Sequence, residues 1–96
     1  MNKEHIVRPP ESRLLKSGRV TLSPGEEIGW HVTQDREELI VILKGTATLF
    51  TGSEQTVLNP GDARFVKEGV RHNVRNDSQG EVEYVYTVSL FEEPSE

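Results

Sequence analysis

Glycine and proline interrupt this chain too often for a long helix to form. Gly18, Pro24-Gly25, Gly29, Gly45, Gly52, Pro60-Gly61, Gly69 and Gly80 leave only short segments between them, and both residue types break helices and favour turns. The segments are rich in Val, Ile, Thr, Leu, Phe and Tyr, which suit a pleated, half-buried surface. Strands are predicted over residues 19–23, 39–44, 46–50, 55–58, 63–66, 72–76 and 83–90. No window holds a sustained helical apolar period free of Gly or Pro, so little or no helix is expected. Short strands with turn signals at roughly ten-residue spacing point to an all-β sandwich or barrel.

A length of 96 residues fits a single domain spanning residues 1–96, with the polar ends 1–4 and 92–96 expected to fray. Hydrophobic residues make up 33% and charged residues 28%, a balance that excludes both a fully disordered chain and a membrane protein. The longest apolar run, residues 39–43, is far shorter than the roughly 20 residues needed to span a bilayer. The formal charge is −5 and the basic residues are scattered, so no nucleic-acid partner is expected. There is no cysteine. That removes disulfides, thiolate nucleophiles and Cys-based zinc sites, and makes a reducing cytoplasm the expected location. No basic stretch followed by an apolar one opens the chain, so no secretory signal is expected.

Two of the predicted strands are apolar on both faces. Residues 39–43 are aliphatic in both alternating sets, and residues 82–90 alternate Tyr84, Tyr86 and Val88 with Val85, Thr87 and Ser89. Such strands are usually covered on both sides. In so small a chain the second cover is expected to be another subunit, giving a homodimer.

Three potential metal ligands stand beside apolar strand positions. Alternation puts His31 on one face with Thr33, Glu38 with Ile40 and Ile42, and His72 with Val74 and Asn76. On the inner faces of a barrel, these would bring two imidazoles and a carboxylate into a small interior. That set serves non-haem iron and, completed by water, catalytic zinc. Each residue also has a simpler reading: His31 packed beside Trp30, Glu38 solvated at a strand start, His72 capping a turn.

The spacing Gly25-x5-His31-x-Thr33-x4-Glu38-x6-Gly45 resembles the first motif of the cupin family, G-x5-H-x-H-x3–4-E-x6-G. Downstream, Gly61-x5-Lys67-x-Gly69-x2-His72-x3-Asn76 resembles the second, G-x5-P-x-G-x2-H-x3-N. The resemblance covers residues 25–76. It implies a double-stranded β-helix, or jelly-roll barrel, with a divalent transition metal (Fe, Mn, Zn, Ni or Cu) held by His31, Glu38 and His72. Two positions depart from the pattern. Lys67 replaces a turn-stiffening proline at a cost of about 0.4–1 kcal/mol. Thr33 replaces the second motif histidine, and a hydroxyl is a poor substitute for imidazole on such a metal. Asp35, His5 or water could fill the vacancy, and Asp35 and His5 could equally be ordinary surface residues.

Thr33, Trp30 and Asn76 are candidate ligand-pocket residues. Trp30 could stack on a sugar or aromatic ligand, or pack in the core or dimer, and Asn76 could tie the turn after its strand. Arg64, Arg71 and Arg75 could recognise a carboxylate or phosphate, or lie on a solvated exterior. Two functions follow. One is a metal-binding cupin that binds or acts on a small polar organic ligand, by oxygenase, isomerase or lyase chemistry among which the sequence does not choose. No general base stands out, so no catalytic residue is assigned. The alternative is a metal-free module for a sugar or organic acid, or a dimeric interaction module, with Thr33 marking a degenerate metal site.

Overall fold

In a computed structural model the protein is described over residues 1–90, which form eight strands and no helix. The strands are β1 (Asn2–Val7), β2 (Leu15–Leu22), β3 (Glu38–Lys44), β4 (Ala47–Thr51), β5 (Glu54–Leu58), β6 (Ala63–Val66), β7 (His72–Arg75) and β8 (Val82–Ser89). All pairings are antiparallel. They build a five-stranded sheet in the order β1-β2-β8-β3-β6 and a three-stranded sheet in the order β5-β4-β7.

The seven predicted strands are all present, and two differences have physical causes. β2 begins at Leu15 rather than at residue 19, and it pairs with β8 from Leu15↔Ser89 to Leu22↔Val82. Gly18 does not end the strand, because its missing side chain makes room for Tyr86: a Cβ there would lie 2.6 Å from the tyrosine hydroxyl. The second difference is β1, which overturns the expected fraying of residues 1–4. It pairs with β2 from Asn2↔Thr21 to Val7↔Ser17, with a bulge between His5 and Val7. Its side chains are largely exposed, so it is held by the main-chain ladder and carries no apolar signature. Residues 92–96 lie outside the described part of the chain.

The inner faces of the two sheets enclose one core. Val20, Leu22, Ile40, Ile42, Leu58 and Val82 are among its fully or almost fully buried members, and each sits at the inward position of its strand or at a strand end. Residues between Gly25 and His31 run beside β7 and widen the smaller sheet: Gly25 N donates to Asn76 O (2.8 Å), Asn76 N to Glu26 O (2.9 Å) and Ile28 N to Val74 O (2.9 Å). The result is the double-stranded β-helix that the sequence resemblance implies. Gly45 turns the chain from β3 to β4 with φ +78°, and a Cβ there would collide with the carbonyl of Glu81.

The inner face of β3 is buried, as the aliphatic run predicts. On its outer face Leu39 and Leu43 remain exposed, and Phe65, paired with Leu39 across β6, is 58% exposed. Among the described residues no helix is long and apolar enough to cross a membrane.

Candidate metal centre

The two histidines are brought together by the main chain. His31 N donates to His72 O, and His72 N donates to His31 O, each at 2.9 Å. This reciprocal antiparallel bridge sets the rings on one side, with centroids 4.1 Å apart. Each ring is then oriented by a local carbonyl. Nδ1 of His31 lies 3.0 Å from Gly29 O, and Nδ1 of His72 lies 2.9 Å from Val70 O. A carbonyl can only accept, so each Nδ1 carries a proton, which leaves Nε2 as the ring atom that faces the interior. Held imidazoles of this kind are how proteins orient metal-binding histidines.

Glu38 opens β3 and is buried. Its Oε1 lies 2.9 Å from His72 Nε2 and 3.9 Å from His31 Nε2. Burial disfavours its charge, but the attraction of His31 and His72 outweighs that and holds the carboxyl below its ordinary value. His31 is raised, chiefly by its interaction with Glu38; burial and the charge of Lys3 act against the shift. One ligand atom from each of His31, Glu38 and His72 lies within 4.8 Å of the others. Among the described residues this is the one such group of three or more His, Cys, Asp or Glu side chains.

Thr33 occupies the position of the missing motif histidine. Its Oγ1 is buried and has no hydrogen-bond partner within the described protein. An orphaned buried hydroxyl carries a free-energy cost, and it marks a place where a bound water or ligand oxygen would be satisfied. Two inward Nε2 atoms and one carboxylate form a donor set suited to a divalent transition metal with open positions. The residues therefore fit the metal that the sequence resemblance implies.

The triad lines a cavity of about 340 Å³. Trp30 and Thr33 line it too, whereas Asn76 does not. This corrects the pocket assignment of Asn76, which is fully buried elsewhere: its amide nitrogen donates to Leu22 O and Gly80 O, and its oxygen accepts from Ser78 N. Trp30 lies one residue from His31 but still reaches the cavity edge, with its ring 5.8 Å from Phe50 and the Arg71 guanidinium over it at 4.5 Å. Asp35 and His5, the candidate extra ligands, lie outside the lining, and His5 instead faces Arg8 at 3.0 Å. Arg75 is paired with Asp77 at 2.6 Å, and Arg64 reaches its neighbour's carbonyl on Ala63.

Several contributors escaped the sequence. Asn73 is fully buried; it accepts from Gly29 N (2.9 Å) and donates to Glu27 Oε1 (2.5 Å), bracing the segment that presents His31. Nothing in a lone asparagine on the face opposite His72 signals this. Lys3, Lys16 and Arg36 also line the cavity. Lys16 was recoverable, because it continues the inward alternation of Gly18, Val20 and Leu22 once β2 is extended back to Leu15. Tyr84 and Tyr86 line the wall, and burial, followed by the charge of Glu38, pushes both hydroxyls above their ordinary value. They remain neutral hydrogen-bonding groups.

Comparison with known proteins agrees with this fold. Residues 18–88 match the family model described as a cupin domain. An oxalate-binding protein of Thermotoga maritima is 25% identical over 72 residues, which is 75% of this chain and 60% of that protein. The chain thus spans about three-fifths of the length of that relative. Among solved structures, TT1209 of Thermus thermophilus superposes with a TM-score of 0.86 at 26% identity, covering 94% of this chain and 83% of that one. A predicted oxalate decarboxylase of Thermotoga maritima gives the same TM-score of 0.86 at 21% identity, over 93% and 79% of the two chains, a likeness of fold.

Proposed function

This chain belongs to the cupin family, and we propose that it is a metallocupin whose His31, Glu38 and His72 hold a divalent transition metal that binds a small organic acid. The observation that carries the reading is the convergence of the three ligand atoms within 4.8 Å, with both Nδ1 positions already committed to carbonyls. A bound metal would supply Lewis-acid polarisation of a chelated carboxylate or carbonyl. The chain's own residues do the rest. Asn73 and the His31–His72 bridge fix the rings, Ile28, Val74 and Val88 form an apolar wall, and Thr33 Oγ1 offers a hydrogen bond to the ligand. The oxalate-binding relative supports a carboxylate as the ligand class.

A second reading, a metal-free binding module, is favoured by one contact. His72 Nε2 and Glu38 Oε1 satisfy each other directly at 2.9 Å, so the triad closes without an ion. Elemental analysis of protein purified without chelator separates the two. The metallocupin reading expects stoichiometric transition metal in the wild type, lost in His72→Ala. A wild type that neither carries metal nor takes it up on reconstitution leaves the binding module.

The reading includes a homodimer joined through the outer face of β3 and β6, where Leu39, Leu43 and Phe65 are exposed. It also places the protein in the cytoplasm, a reducing setting that suits a chain without cysteine.

A further inference from the structure

The cavity has a charged rim that metal binding does not use. Lys3 from β1, Lys16 from β2 and Arg36 from the turn before β3 all line it. Register explains the convergence. Lys3 stands opposite Val20 and Lys16 opposite Val88, and both valines are buried on the inner face. Directly opposed residues share a face, so both lysine stems start inward.

This rim runs against the character of the chain. Acidic residues outnumber basic ones sixteen to eleven, yet among the described residues Glu38 is the one carboxylate in the lining, and His72 engages it. Among the described residues, Lys3, Lys16 and Arg36 make no ion pair and no side-chain hydrogen bond. Three cations without a protein counter-charge around one concavity attract and orient anions. Thr33 Oγ1, buried and unpartnered on the wall of the same cavity, is a further group that a ligand would satisfy. A volume of about 340 Å³ sits at the small end of the roughly 300–1,000 Å³ typical of ligand pockets.

We propose that the cavity takes a short dicarboxylate, one carboxylate at the His31–Glu38–His72 floor beside Thr33 and the other held by Lys3, Lys16 and Arg36. The inner half of this assignment rests on the metal reading; the outer half stands on the rim alone. A neutral or singly charged compound of the same size would leave the rim unanswered.

Calorimetric titration of the protein as purified, with malonate, succinate and glutarate and with the monoamide of each, tests it. At least one diacid should bind more tightly than its monoamide, and the preference should shrink with added salt. Lys3→Gln, Lys16→Gln and Arg36→Gln should each cost the diacid about two- to fivefold in affinity, as for exposed ion pairs, and leave monoamide affinity and metal content unchanged. The proposal is overturned if no diacid outbinds its monoamide, or if the triple Gln variant, shown folded by its far-UV spectrum, keeps the preference. Metal content measured on the same samples keeps the two readings apart. A diacid preference without metal sinks only the metal reading, and metal without a preference sinks only the rim.

Discussion

A hydrogen bond of 2.9 Å between His72 Nε2 and Glu38 Oε1 holds a proton where a metal would sit, so acid and metal compete for the same lone pairs. The two states should respond to pH with opposite slopes. Glu38 is lowered, so its contribution to stability is present above its ordinary value of 4.5 and is lost as pH falls through the lowered one. His31 is raised, so its contribution is complete below its ordinary value of 6.5 and is lost as pH rises through the raised one. Between 4.5 and 6.5 both are in force. The melting temperature of chelator-treated protein should therefore fall as pH is raised past that window. Metal-loaded protein should gain over the same range. Parallel slopes in scanning fluorimetry would contradict a shared site. The convergence of these three side chains was legible in the sequence because the spacing of both motifs is kept around them. The role of Asn76 was open to two readings, since an amide at a strand end suits a pocket and a turn equally until its partners, Leu22 O and Gly80 O, are seen.

Among the elements, the turn from β3 to β4 is the most constrained. Gly45→Ala would place a methyl group against the Glu81 carbonyl at a positive φ, and left-handed strain alone costs about 1–2 kcal/mol. A loss of about 2 kcal/mol or more in urea denaturation is expected; an unchanged midpoint would mean that the turn relaxes freely. The remaining strands were legible because each pairs an inward apolar set with glycine or proline at its ends. β1 was not, for a reason of principle: an edge strand held by main-chain hydrogen bonds, with charged and polar side chains facing water, follows the same composition as a frayed end. That strand also carries Lys3 to the cavity.

At the scale of the whole molecule, the exposed aliphatic and aromatic groups on the outer face of the larger sheet are where the proposed dimer would join. Leu39 and Phe65 are directly opposed across β3 and β6, and Phe65 is more than half exposed. Phe65→Glu would put a charge in the middle of the face proposed to join two copies, where burial of an unpaired carboxylate would be strongly unfavourable. Light scattering should find a dimer for the wild type and a monomer for the variant, with metal content unchanged. A wild type that stays monomeric at high concentration removes the dimer. The clasp between His31 and His72 bears on folding as well. It joins segments from the two halves of a chain that has no cysteine, and small folds commonly need a covalent or metal staple. An ion bound there would cross-link the loop between them and restrict the unfolded ensemble much as a disulfide does. Unlike a disulfide, that cross-link would survive a reducing compartment and yield to a chelator.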